Sequence, residues 1–334
     1  MLCYTLPDIL KKRESLCTDD VTYTTYMVME NELIAEIQRL KKEKNAIILA
    51  HYYVNDELQA LADYVGDSFY LAKVAKGTDA DVLVFCGVSF MGESAKMLNP
   101  EKTVLMPDLT ADCPMAHMVL KEEIEKARKI YDDLAVVCYI NSTALVKSWC
   151  DVSVTSANAV QIVKNMPNKN ILFVPDKNLG RYVAAKVPEK NVMVVNGFCP
   201  IHETISVKEI QKLKQLYPEA EILVHPECCE EVVQLADYVG STSGIIKYVS
   251  ESSKKQWIIG TEVGILYELQ KNNPGKQFYF PETKPVCQDM KKITLDKILQ
   301  VLKEENNQAV VDTEISAAAK HTLDKMLELS NCRV

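Results

Sequence analysis

The chain has 334 residues, 48% hydrophobic and 25% charged, with a formal net charge of −8 and a pI near 5.3. That composition excludes a disordered tail protein, a collagen-like fibre and a coiled coil, and the length allows two or three compact units. The absence of a strongly basic block argues against nucleic acid as a main partner, and no apolar run nears the roughly 18 residues of a membrane span.

Met1–Pro7 shows no basic stretch followed by an apolar one, so a cytoplasmic location is expected. Residues 1–30 fit no pattern and are read as an N-terminal extension. A helix is predicted over about Glu30–Lys44, its basic end a solvated face. From there the chain repeats itself. Leu61-Ala62-Asp63-Tyr64-Val65-Gly66 returns as Leu235-Ala236-Asp237-Tyr238-Val239-Gly240, with a weaker middle copy around Asp151. The three aspartates are 88 and 86 residues apart.

Each unit opens on an apolar run that reads as a buried strand: Ala46–Ala50, Leu134–Cys138 and Glu221–Val224. A polar loop, a helical stretch and a short apolar run follow, then a hydroxyl-bearing loop. Further strands are predicted at Asp81–Phe85, Asn170–Val174 and Gln256–Ile259, and again at Thr103–Met106, Val192–Val195 and Gln277–Phe280. The expected fold is α/β: three pseudo-threefold-related αβα domains, each with a small parallel sheet, around a central cavity. The expected divisions are 31–120, 121–207 and 208–302. A C-terminal helical segment, 303–334, helps to close the first repeat.

Ligands of open parallel sheets collect beyond the carboxyl ends of the strands. Twelve residues before each aspartate stands His51, Tyr139 or His225, and two residues later Tyr53, Asn141 or Glu227. Five residues after each aspartate comes Ser68, Ser156 or Thr242. The aspartates themselves are read as structural turn or cap residues.

Eleven cysteines are present, with no CxxC pair, so disulfides and local zinc or ferredoxin loops are poor readings. Cys113, Cys199 and Cys287 alone recur in all three units, at 50, 48 and 50 residues past the aspartate. Three thiolates converging on an axis favour a soft metal centre. Zinc would want a fourth protein ligand or water; a [4Fe–4S] cluster on three cysteines would keep one iron open as a Lewis acid.

Several segments together resemble the quinolinate synthase (NadA) family: Ala50-His51-Tyr52-Tyr53, Asp63 through Ser68, Phe90 through Lys96, Cys113-Pro114-Met115-Ala116, Gly197 through Glu203, His225-Pro226-Glu227-Cys228 and Gly260 through Gly264. The likeness spans roughly residues 45–302. It implies one [4Fe–4S] cluster per chain, held by Cys113, Cys199 and Cys287. It also implies condensation of iminoaspartate with dihydroxyacetone phosphate to quinolinate, phosphate and water in NAD biosynthesis. An aspartate oxidase or dehydrogenase would supply the iminoaspartate. Some family members place the last ligand in a CxxCxxC run; here Pro281 and Lys284 stand in the other two places, so no thiol–disulfide switch is expected there.

For such anionic substrates, His51, Ser68, Asn141, Ser156, Ser241, Thr242 and His202 are the expected binding residues, the hydroxyls lying where helical patterns begin. Tyr53, Tyr139 and His225 are expected to move protons, and Glu227 to act as general base on a carbon next to a carbonyl. Glu93 and Lys96 read as helix-surface residues. Cys3, Cys17 and Cys332 are expected to be inert.

Overall fold

The computed structural model describes the backbone of residues 20–331 and the side chains of residues 31–330. Cys3, Cys17 and Cys332 lie outside the described residues. The first helix spans Asp20–Glu43 and so runs across the boundary expected at residue 30. Its basic end is not simply solvated: Lys41 Nζ meets Asp63 at 2.7 Å, Lys44 pairs with Glu305, and Arg39 is held by Glu36 and Glu43.

Among the described residues twelve short strands form three four-stranded sheets. The first contains β1 (Ala46–His51), β2 (Tyr64–Gly66), β3 (Val82–Cys86) and β4 (Thr103–Leu105). The second contains β5 (Leu134–Tyr139), β6 (Val152–Val154), β7 (Asn170–Val174) and β8 (Asn191–Val194). The third contains β9 (Glu221–Val224), β10 (Tyr238–Val239), β11 (Gln256–Gly260) and β12 (Gln277–Tyr279). Every pairing is parallel and the spatial order is the same in each: β2-β1-β3-β4, β6-β5-β7-β8 and β10-β9-β11-β12. Registers match as well, with Ile48 opposite Val84, Val136 opposite Leu172 and Ile222 opposite Ile258. β3 and β5 are buried at every residue, as strands covered by helices on both faces must be.

In this order the second strand of each sheet lies on one side of the first and the third strand on the other. The crevice beyond the carboxyl ends of the first and third strands, the central pair, is the switch point where parallel sheets bind ligands.

The aspartates that mark the repeats explain themselves here. Asp63, Asp151 and Asp237 accept the backbone N–H of Ile48, Val136 and Ile222 at 2.8, 2.7 and 2.8 Å. Each aspartate thus ties the approach to the second strand onto the middle of the first. A lysine pattern that sequence reading missed does a similar job. Lys102, Lys190 and Lys276 each donate to the carbonyl that caps the end of a helix: Thr78, Met166 and Ser252 (2.9 Å). A cation is favourable at that end of the helix dipole.

The final helix, Thr313–Asn331, packs against the helices Ser89–Leu98 and Ala144–Ser148 and against β6. It buries Ala319, Leu323 and Met326, and Thr322 exchanges a hydrogen bond with Ser153 at 2.7 Å. It therefore fastens the first sheet's layer to the second.

Candidate functional site

A cavity of about 160 Å³ lies where the carboxyl ends of the three sheets meet, lined by residues from all three repeats. His51, Tyr53 and Ser68 enter from the first repeat, and Tyr139, Asn141 and Ser156 from the second. His225, Glu227 and Thr242 come from the third. Cys113, Cys199, Cys287 and His202 line it as well.

Hydrogen bonds join the repeats across this cavity. The Tyr53 hydroxyl lies 2.8 Å from Thr242 Oγ1 and 3.0 Å from Thr261 Oγ1. His225 Nε2 lies 3.2 Å from Ser156 Oγ, and Asn178 Nδ2 donates to the Glu227 carbonyl at 3.0 Å. Gln59 donates to the Gly264 carbonyl at 3.1 Å, and Lys291 Nζ to the Tyr53 carbonyl at 2.8 Å. A Cβ at Gly264 would stand 2.7 Å from the Tyr52 carbonyl oxygen, so only glycine lets the first and third repeats approach this closely.

The two strand-end histidines share one geometry. The N–H of Tyr53 donates to His51 Nδ1 at 3.2 Å, and the N–H of Glu227 to His225 Nδ1 at 3.3 Å. An accepting Nδ1 puts the imidazole proton on Nε2. Burial lowers both histidines to about 3, so they are neutral Nε2–H donors at physiological pH. Burial also lifts Tyr53 and Tyr139 well above the ordinary phenol value, so both keep their protons.

Glu227 is buried, yet it is held below the usual carboxyl range. Burial pushes it up, but the neighbouring His202 outweighs that, with a hydrogen bond from the Tyr139 hydroxyl in support. Its Oε2 lies 2.7 Å from His202 Nδ1. Its Oε1 is buried with no partner, as are Asn141 Oδ1 and Thr155 Oγ1, and all three residues line the cavity. Buried acceptors without donors are costly unless something else completes them, which marks this as a ligand site.

The three cysteines sit in extended conformations immediately before short helices: Pro114–His117, Pro200–Glu203 and Gln288–Lys291. Burial raises all three thiols, Cys287 to about 11. No fourth cysteine lines the cavity among the described residues. His202 Nδ1 lies 3.2 Å from Cys199 Sγ, and Cys199, His202 and Glu227 place potential metal-ligand atoms within 4.8 Å of one another.

Ser241 has a structural partner of its own. Its hydroxyl accepts the Gly244 N–H at 3.1 Å and so caps the helix Thr242–Glu251, and its side chain lines a neighbouring cavity. Glu93 differs from expectation: its carboxylate accepts the Ala144 N–H at 2.7 Å and caps a helix of the second repeat. Sequence reading missed Thr261, Thr155, Asp112, Asp176 and Glu262. Asp176 and Glu262 each stand 25 residues past a repeat aspartate, a signal present in the sequence but broken by Val88 in the first repeat.

A thiol-lined cavity at the meeting point of three parallel sheets, walled by neutral donors and unpartnered acceptors, has the make-up of an enzyme site for a small polar molecule. The comparisons make this specific. Residues 35–328 match the family model described as Quinolinate synthetase A protein. The chain is 54% identical to the quinolinate synthase of Clostridioides difficile, over 90% of this chain and 99% of that protein. It is 48% identical to that of Aquifex aeolicus, over 90% and 94% of the two chains. It is also 48% identical to quinolinate synthase 2 of Methanosarcina acetivorans, over 91% and 98%. The chain belongs to the quinolinate synthetase A family.

Proposed function

We infer that the chain is a quinolinate synthase, an enzyme of NAD biosynthesis that condenses iminoaspartate with dihydroxyacetone phosphate and releases phosphate and water. The observation that carries this reading is the cavity itself. Residues from three repeats meet around three thiols, and the acceptors of Glu227, Asn141 and Thr155 are buried without partners. The division of the chain at residues 120 and 207 is part of the same proposal.

The donor set fits a [4Fe–4S] cluster on Cys113, Cys199 and Cys287. The thiols come one from each repeat, line one cavity and form no disulfide. All three stay protonated at neutral pH without a cation to displace the proton, so metal loading is coupled to proton release. With no fourth thiol, such a cluster would supply a Lewis-acidic position for a substrate carboxylate or hydroxyl.

The remaining roles belong to the protein. His51 and His225 present neutral Nε2–H donors to carboxylate or phosphate oxygens, and Ser68, Ser156 and Thr242 add hydroxyls. Asn141 Oδ1, which lacks a donor, suits an imine N–H better than a carboxylate. Tyr53 and Tyr139 remain phenols and are placed to give up a proton as carbonyl oxygen becomes hydroxyl and leaves. Glu227 is the carboxylate available to take a proton next to a carbonyl through its free Oε1. While His202 holds Oε2 its basicity is low, so a substrate that engages His202 would strengthen the base.

Iminoaspartate is supplied, in this reading, by an aspartate oxidase or dehydrogenase. The described residues contain no helix long and apolar enough to cross a membrane, and a reducing cytoplasm would suit three free thiols. The test is an anaerobic assay with iminoaspartate and dihydroxyacetone phosphate. Quinolinate and phosphate should form together; phosphate release without quinolinate, or neither product from protein carrying its cluster, would overturn the assignment.

A further inference from the structure

We infer that Asp112, Asp176 and Glu262 are positioning residues for the three thiols: each carboxyl accepts the backbone N–H of one cysteine and fixes the direction in which its side chain leaves the chain. The Cys113 N–H donates to Asp112 Oδ1 at 2.8 Å, the Cys199 N–H to Asp176 Oδ2 at 3.2 Å and the Cys287 N–H to Glu262 Oε1 at 3.1 Å. This inference rests on the cluster reading above and deepens it.

The second oxygen of the two fully buried carboxyls is also committed. Asp176 Oδ1 accepts the Leu179 N–H at 2.6 Å, and Glu262 Oε2 accepts the Gly264 N–H at 2.6 Å. Each side chain therefore ties three segments together: the end of the sheet's third strand, the start of the next helix and the cysteine loop. The first repeat reaches the same result from elsewhere. Val88 stands where the carboxyl would be, and Asp112, beside Cys113 in the chain, replaces it. Asp112 is itself held by the Ser89 hydroxyl and lies 2.7 Å from His117 Nε2. The N–H contact is kept in all three repeats although the residue that makes it is not at the same position, which points to a requirement at the cysteine and not to inherited symmetry.

The physical effect is pre-organisation. An N–H pinned to a buried carboxyl cannot turn, so the Cα–Cβ bond of the cysteine stays aimed into the cavity before any metal arrives. An amide cannot substitute, because its NH₂ would face one of the two N–H donors that the carboxyl satisfies.

The test uses full-length Asp176→Asn and Glu262→Gln, purified anaerobically, with circular dichroism to verify folding. The first readout is the rate at which a chelator strips iron, and the expected change is roughly 10–100-fold faster loss than in the wild type. The second needs no cluster: alkylation of each cysteine in iron-free protein, followed by mass spectrometry. Asp176→Asn should change the labelling rate of Cys199 and leave Cys287 alone, and Glu262→Gln should do the reverse. Wild-type rates of iron loss in folded variants, or labelling that changes equally at all three cysteines, would overturn the positioning role. A wild-type chain that takes up no iron would instead sink the cluster reading, while the labelling experiment would still decide whether the carboxyls orient the thiols.

Discussion

The two ends of the three sheets follow different rules. Toward the amino ends of the strands the repeats use the same parts. Asp63, Asp151 and Asp237 accept equivalent N–H groups within 0.1 Å of one another, at 2.8, 2.7 and 2.8 Å, and Lys102, Lys190 and Lys276 close equivalent helices. At the carboxyl ends the positions are kept but the residues differ: His51, Tyr139 and His225; Tyr53, Asn141 and Glu227; Val88, Asp176 and Glu262. A structural hydrogen bond has one solution that works three times. A cavity for an asymmetric reaction needs different donors, acceptors and acids from each side. Among these cavity-end positions the cysteines are the same in all three repeats, as the proposed metal centre would allow, since it can use the same ligand from each repeat.

The sharpest way to break this comparison is at the thiols. Cys113→Ser, Cys199→Ser and Cys287→Ser should each abolish the visible absorption of the cluster, whereas Cys86→Ser, Cys138→Ser and Cys150→Ser should keep it. Retained colour in any of the first three would undo the ligand assignment.

The next effect falls on Glu227, the cavity carboxylate two residues past a strand-end histidine. Glu227→Gln should keep its iron and lose turnover by about 10²–10⁴-fold, the usual contribution of a general base. Normal turnover would place the base elsewhere.

Acid stability follows from the histidines. Each is about 3 when folded and about 6.5 when unfolded. Between those values the unfolded chain binds more protons. Stability is therefore complete above about pH 6.5 and falls as the pH drops toward 3, with a slope of about 1.4 kcal/mol per pH unit from each histidine. Urea unfolding of His51→Gln between pH 7 and pH 5 should show a shallower slope than the wild type. An unchanged slope would mean that His51 is charged in the folded state.

At the structural end, Asp237→Ala leaves the buried Ile222 N–H without its acceptor and should cost about 1–3 kcal/mol, read from urea unfolding, with KM unchanged. The smallest effect separates a cap from its neighbour. Ser241→Ala should cost about 1 kcal/mol of stability and leave KM alone, while Thr242→Val should raise KM. A raised KM in Ser241→Ala would return that residue to the binding site.

These regions also differ in how legible they were. The strands announced themselves as apolar runs, because strands covered on both faces carry little else, and the repeat spacing brought the cysteines and the strand-end residues into one set. What the aspartates do could not be read, since their acceptor role depends on a strand 15 residues earlier. The capping bond of Ser241 could not be read, because a cap and the first helical residue are adjacent in sequence and both carry hydroxyls here. Asp176 and Glu262 share a repeat position, but the first repeat satisfies the same N–H from Asp112, so the pattern shows only in three dimensions.

The most direct test counts iron and sulfide in anaerobically purified wild type and Cys199→Ser, with quinolinate formation measured on the same samples. The wild type should hold about four irons and four sulfides per chain and make quinolinate, and the variant should lose both. A wild type that makes quinolinate with zinc or without iron, or a variant that keeps its full complement, would contradict the account.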